Sequence, residues 1–541
     1  MRSPRSTSPR TSPLRTPPFL FAIIFFGIFL LHIPLLQLPY FWDEAGYYVP
    51  AARDILLSGS LIPHSSLSNA HPPLVLVWLA LWWKVVGYAL PVTRAAMLAV
   101  AAFSLLGVFR LAERVANTQV AIAATLCTAL YPVFFAQSSL AQVDLAAAGF
   151  IFWALSAYLE DKVVAAAVWF SLAALAKETA ILAPIAIATW ELLGVLLRNT
   201  SLRRLWIARD DQASERSELK SIATLVIPLL PLALWYSYHY ARTGYVFGNP
   251  EFFRYNVAAT LNPSRFALAL ALRLWQAFGY LHLWILTLAM LLAMSLPPQR
   301  DATGERPRIA IPVQTIFFVI VTAYVLAMAL IGGAVLARYM LPTIPLVIIL
   351  AASTLWRRLS FWPAAVAFVA VAFIAGWFWN PPYGFSPEDN LAYRDYVVLH
   401  EDGERFLEAR YPMARVLTAW PASDELTRPW LGYITRPMRV LRIEDFTLDE
   451  ILSAADVRSK YEVALIFSTK YEPSPALWDR WRKWTELKTR FFGFHRDLPP
   501  AAIAQILGGH IVFSETRKGQ WISVIEMKQD EMQNAEVRVH K

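Results

Sequence analysis

Asp43 and Glu44 stand side by side in FWDEAGYYVPAARDILLSG, directly after an apolar run. Paired acids at such a point suit two tasks: taking the proton of an attacking hydroxyl, or holding a divalent cation. A solvated loop start or a helix cap explains the pair equally well on its own. Asp144, in QSSLAQVDLAAAGF, opens another apolar run, where the macrodipole also favours an acid at a helix start. Lys177 and Glu178 interrupt apolar sequence in LAALAKETAIL, and charges within a bilayer are expensive enough to read either as a buried ion pair or as function. Arg338 and Tyr339, in GGAVLARYMLP, add a planar guanidinium suited to phosphate, with a snorkelling interfacial arginine as the alternative. His71 precedes Pro72 and Pro73 in NAHPPL, at a helix start where proline is tolerated. An acid that accepts a proton and cations that steady a departing phosphate are the parts of a group transfer. No Walker-type or GxGxxG loop offers a nucleotide site.

The elements that must position these residues are membrane helices. Of 541 residues, 57% are hydrophobic and 16% charged, more apolar surface than soluble cores hide. Apolar runs long enough to cross roughly 30 Å of hydrocarbon recur from Phe19 to Trp379. The net charge of +9 falls in short loops between these runs, which makes it a topology signal and excludes nucleic acid as the partner. The single cysteine, Cys127, lies within an apolar run, so no intrachain disulfide is expected.

Residues 1–18 carry Arg2, Arg5, Arg10 and Arg15 and read as a basic cytoplasmic tail, followed by an uncleaved first span at about 19–38. Further spans are expected near 93–112, 119–136, 144–159, 163–177, 180–197, 221–238, 278–295, 310–330, 341–355 and 361–379. That is about eleven crossings. The run 71–87 would rise only about 25 Å at 1.5 Å per residue, and making it cross would put Arg203, Arg204, Arg209, Arg216, Arg300, Arg308, Arg357 and Arg358 outside. It therefore reads as a juxtamembrane helix anchored at headgroup depth by Trp78, Trp82, Trp83 and Lys84. Residues 264–277, with Arg265 and Arg273 among apolar neighbours, read as a second surface-lying helix or a plain span start. With this topology Asp43, His71, Asp144, Lys177 and Arg338 all fall on the outer face of a bacterial inner membrane.

From Pro381 the pattern changes, and residues 381–541 are expected to form an external, periplasmic α/β domain. NLAYRDYVVLHEDGERFLEARY and ALWDRWRKWTELK read as helices; ARVLTAW, YEVALIFS and WISVIEMK read as short buried strands.

Asp43-Glu44, then A-R-D-I-L-x-S-G, H-P-P-L with L-W-W-K-V-V-G, Q-x-x-x-A-Q-x-D and A-K-E-T, over roughly residues 19–360, resemble the GT-C class of integral-membrane glycosyltransferases. Their order is similar to the protein O-mannosyltransferase and lipid A aminoarabinose-transferase branch. The resemblance implies the GT-C fold over 19–380 and inverting transfer of a sugar from a polyprenyl-phosphate donor to a protein, lipid or glycan hydroxyl. It implies Asp43 as general base, with Glu44 and Asp144 shaping the acceptor site or, if a divalent cation is the cofactor, binding it together with Asp43. It also implies Lys177, Arg338, Tyr339 and His71 near the donor phosphate, although His71 stands where aminoarabinose transferases have lysine. A flippase for lipid-linked sugars is the competing class, disfavoured because the polar residues gather at one face and no repeat is visible.

Overall fold

The computed structural model describes residues 17–196, 215–250, 262–302, 304–331, 333–471, 480–492 and 497–528. Arg203, Arg204 and Arg209 of the basic loop lie outside the described residues.

Helices accompany all eleven expected spans. Six apolar helical stretches, Pro17–Leu35, Leu90–Val115, Glu178–Leu196, Ser221–Thr243, Pro263–Met294 and Ile311–Leu330, are long enough to cross, Pro263–Met294 with a break at Gly279–His282, which makes this a multi-pass membrane protein. The others, Thr118–Leu130, Asp144–Leu159, Val163–Ala176, Ile344–Arg358 and Trp362–Phe378, have 13 to 17 residues each. Leu90–Val115 is the central helix, with 72% of its most apolar window buried, against 17% for Pro17–Leu35 at the periphery. Helix Asp144–Leu159 packs closely on it because a Cβ at Gly149 would lie 2.1 Å from the Ser104 hydroxyl. That hydroxyl donates to Leu145 O at 3.2 Å, which holds the start of the helix, and so Asp144, in place.

The two expected surface helices differ from their reading. Leu74–Val86 has 13 residues and rises roughly 20 Å, short of a crossing. Its Trp83 is buried, donating to Thr93 Oγ1 at 2.9 Å, and Trp78 donates to Ala96 O at 3.1 Å. These two indoles dock the helix on the protein, while Trp82 is half-buried and Lys84 exposed. Helix Pro263–Phe278 starts where the Asn262 side chain accepts from the Ser264 and Arg265 amides, and the chain breaks at Gly279–His282, where Leu281 has φ 44° and His282 φ 70°. Arg265 and Arg273 do not snorkel. Both are buried, and Arg273 donates to the carbonyls of Met328 and Leu336 at 3.3 and 2.7 Å, satisfying the C-terminal end of Ile311–Leu330 and the loop after it.

Beyond the last membrane helix a five-stranded sheet forms from β1 (Arg415–Ala419), β2 (Arg439–Ile443), β3 (Val463–Phe467), β4 (Gly509–Arg517) and β5 (Gln520–Met527), in the order β2-β1-β3-β5-β4. β1 runs parallel to β2 and β3, while β5 is antiparallel to both β3 and β4. The strands expected from sequence are the three inner ones. Edge strands β2 and β4 were missed because their faces are partly solvated and carry no apolar run. The helix Ala392–Arg410 forms as expected; of the second expected helix, residues 476–479 lie outside the described residues and Arg482–Phe492 is helical.

Candidate active site

Asp43 sits at the entry of a π-helical turn, Glu44–Tyr48, just after Trp42, whose φ is 41°. Two aromatic contacts shape this turn from the distant C-terminal part: the Trp42 ring lies 5.3 Å from Trp420 and 5.5 Å from Tyr396. Gly46 faces the same indole, and a Cβ there would approach Trp420 to 2.4 Å, so the glycine is what lets the turn close.

The turn sends its two acids in different directions. Glu44 is fully buried; Oε1 accepts from Arg94 Nη1 and from the Ala141 amide, both at 2.5 Å, and Oε2 accepts from the Phe41 amide at 2.9 Å. Glu44 is thus a brace between three segments, which corrects the expectation that the adjacent acids share one reacting site. Successive helical residues project about 100° apart, so neighbours rarely face one ligand. Among the described residues Asp43, Glu44 and Asp144 form no three-ligand group for a metal.

Asp43 instead meets Arg338. Oδ2 accepts from Arg338 Nη2 at 2.6 Å; Nη1 donates to Gln142 Oε1 at 2.6 Å and to Glu388 Oε2; Nε lies 3.4 Å from Asp144 Oδ2. Arg338 is buried, so the snorkelling alternative fails, and its fork is filled by acids and an amide rather than left open for phosphate. Asp144 also pairs through Oδ1 with Lys177, whose Nζ stands 3.9 Å over the Tyr339 ring. That ring has Arg273 and Arg338 at 5.7 Å as well. His71 Nδ1 bonds Glu178 Oε2 at 2.9 Å and its ring stacks on Tyr48 at 6.1 Å. Asp43, Asp144, Lys177, Arg338 and Tyr339 are therefore brought together, with His71 and Glu178 alongside and Glu44 turned away.

Two acids of the site were missed from sequence. Glu388 and Asp389 form a short helical turn, Pro387–Asp389, just after the last membrane helix. Glu388 Oε2 accepts from Gln142 Nε2 at 2.9 Å, and Asp389 Oδ2 accepts from the Tyr280 hydroxyl at 2.6 Å. The signal existed: PED follows the last apolar run as WDE follows the first. Arg94, which holds Glu44, carried none beyond being a charge within a span.

Burial, and secondarily the charge of Glu388, pushes the Asp389 carboxyl up to about 8. A carboxyl raised in the folded state adds stability that is fully present below its unfolded value near 4 and is lost as pH rises to about 8. Melting curves of wild type and Asp389→Asn in one detergent should accordingly diverge across that window, wild type losing ground as pH rises. A constant difference between the two curves from pH 5 to 9 would place the Asp389 proton elsewhere.

No family model matches the chain, and no curated protein matches it. Solved structures do. ArnT from Cupriavidus metallidurans bound to undecaprenyl phosphate is 14% identical with a TM-score of 0.52, over 93% of this chain and 97% of that one. The same protein in the apo state is 14% identical with a TM-score of 0.53, over 94% and 98%. The chain has the GT-C fold. Covering nearly all of both chains, the likeness extends through the C-terminal sheet as well as the membrane helices.

Proposed function

We propose that this protein is a glycosyltransferase that moves a sugar from a polyprenyl-phosphate carrier, of the undecaprenyl-phosphate kind that the similar ArnT binds, to a hydroxyl of a protein, lipid or glycan acceptor. One observation carries the assignment of the base. Of the three carboxylates around Arg338, the Asp43 side chain is 32% exposed while those of Asp144 and Glu388 are 2% and 4% exposed. Arg338 holds Oδ2 of Asp43, which leaves Oδ1 to accept a proton from an arriving acceptor. The acceptor oxygen then attacks the anomeric carbon from the face opposite the phosphate, the C1–O bond breaks, and its electron pair leaves with the phosphate, giving inversion. No acid is needed, because phosphate leaves well as an anion.

Three further cations, one of them paired with Asp144, are candidates for the donor phosphate. Lys177 and Arg273 flank Tyr339, and Arg265, on the same helix as Arg273, keeps Nε and Nη1 buried without a hydrogen-bond partner among the described residues. This end suits a lipid-linked phosphate. Arg338, expected there, instead positions the acids. A divalent cation at Asp43 is not required by this scheme.

The reading is tested by reconstituting purified protein with a labelled polyprenyl-phosphate sugar and acceptor fractions, and following transfer. Movement of the lipid-linked sugar across the bilayer without transfer would favour a flippase.

The reaction is placed on the periplasmic face of a bacterial inner membrane because the loop basic residues favour the other side. Reporters fused after Arg209 and after Asp389 should then report cytoplasm and exterior. Matching sides for both would overturn this orientation and its eleven crossings.

A further inference from the structure

His400, Glu404 and Glu425 lie together inside the C-terminal part, away from Arg338 and its acids. His400 and Glu404 are one turn apart on helix Ala392–Arg410 and so share a face, and Glu425 ends the short helix Ala422–Glu425 that follows β1. All three are buried, at 1%, 0% and 0% exposure. One ligand atom from each lies within 4.8 Å of the other two; the closest pair is His400 Nδ1 and Glu425 Oε2 at 2.6 Å.

The cluster is short of partners. Among the described residues, both oxygens of Glu404, Oε1 of Glu425 and Nε2 of His400 are buried with no hydrogen-bond partner. No Lys or Arg among the described residues bridges either glutamate, and the surroundings are aromatic: Tyr396 stacks on His400 at 4.0 Å and Phe467 lies at 4.5 Å. Two carboxylates in such a place need positive charge, and a histidine supplies one at most.

We propose that His400, Glu404 and Glu425 bind a divalent transition-metal cation, with Zn2+ the best fit to one imidazole and two carboxylates. Ligand atoms about 2.0–2.2 Å from a tetrahedral zinc lie roughly 3.4 Å apart, which the present spacing reaches by small side-chain shifts. The ion supplies the missing positive charge and meets the unpartnered carboxylate oxygens; the closed aromatic setting makes it structural. Its consequence reaches the active site through one side chain. Tyr396, stacked on His400, meets Phe41 at 5.3 Å and Trp42 at 5.5 Å, so the ion stiffens the wall behind the turn that carries Asp43.

The test is metal content of the full-length protein purified without chelator, incubated with Zn2+ and, separately, Mn2+, then desalted and measured by mass spectrometry. Wild type should retain about one equivalent of zinc per chain, Asp43→Asn and Asp144→Asn should retain it too, and Glu404→Gln or Glu425→Gln should lose at least tenfold in affinity. Cobalt-loaded wild type should show the visible absorption of a low-coordinate N/O site, a readout that does not depend on any variant folding. Wild type that keeps neither metal overturns the proposal. Metal lost in Asp43→Asn or Asp144→Asn instead also overturns it, by placing the ion at the active site.

Discussion

Asp43→Asn is expected to lower turnover by about a hundredfold to ten-thousandfold, the usual worth of a positioned general base. The amide keeps the shape and can still accept a hydrogen bond from Arg338, whose contact to Oδ2 is 2.6 Å, so insertion, folding and donor binding should persist. What it loses is the ability to take a proton at the second oxygen. The measurement is single-turnover transfer at saturating donor and acceptor, with expression and melting temperature matched. Equal rates for both proteins would move the base to another group, and Glu178, 24% exposed and paired with His71, would be the next acid to examine. Glu44→Gln should behave differently. Its carboxylate is paired with Arg94 inside the protein, so the variant should lose stability first and activity as a consequence.

Arg338→Met should cost about 3–5 kcal/mol of stability, the range for removing one partner from a buried charge pair. The estimate is conservative in kind, because one guanidinium serves Asp43, Gln142 and Glu388 and lies beside Asp144, joining parts of the chain from residue 43 to residue 388. Without it, the only ion pair left to Asp43, Asp144 and Glu388 among the described residues is that of Lys177 with Asp144. Arg338→Lys keeps the charge but cannot reach acceptors on several sides at once, so it should recover only part. A double-mutant cycle sharpens the test: Arg338→Met with Glu388→Gln should regain stability relative to Arg338→Met alone without regaining transfer. Unchanged stability, with only a weaker use of donor, would instead make Arg338 the phosphate receptor that its type first suggested.

The contrast between Asp43 and Glu44 shows where local information ends. A charge at the end of an apolar run is visible from the sequence alone. Which of two adjacent acids points to the site depends on a partner fifty residues away, Arg94, and on an indole from the far part of the chain, Trp420. Arg338 teaches the same from the cation's side. Its residue type predicts affinity for an oxyanion, yet whether that oxyanion is phosphate or carboxylate is decided by what the fold places around it.

The sequence by itself determined the class of protein, the apolar helices, the order of the motifs that carry Asp43, His71, Asp144 and Lys177, and the inner strands of the C-terminal sheet. The helices and strands follow from hydrophobic runs and their periods, which are short-range and additive, while the class follows from the resemblance of the motifs to GT-C glycosyltransferases. Only the tertiary structure decided that Glu44 is a brace, that Glu388 and Asp389 belong with Asp43, and that Arg265 and Arg273 turn inward. It alone revealed that HEDGERF, in sequence part of a helix, buries His400 and Glu404 against Glu425. The physical reason is common to all of these. A polar side chain is stabilised by whichever partner reaches it once water is excluded, and which partner that is depends on segments far apart in the chain.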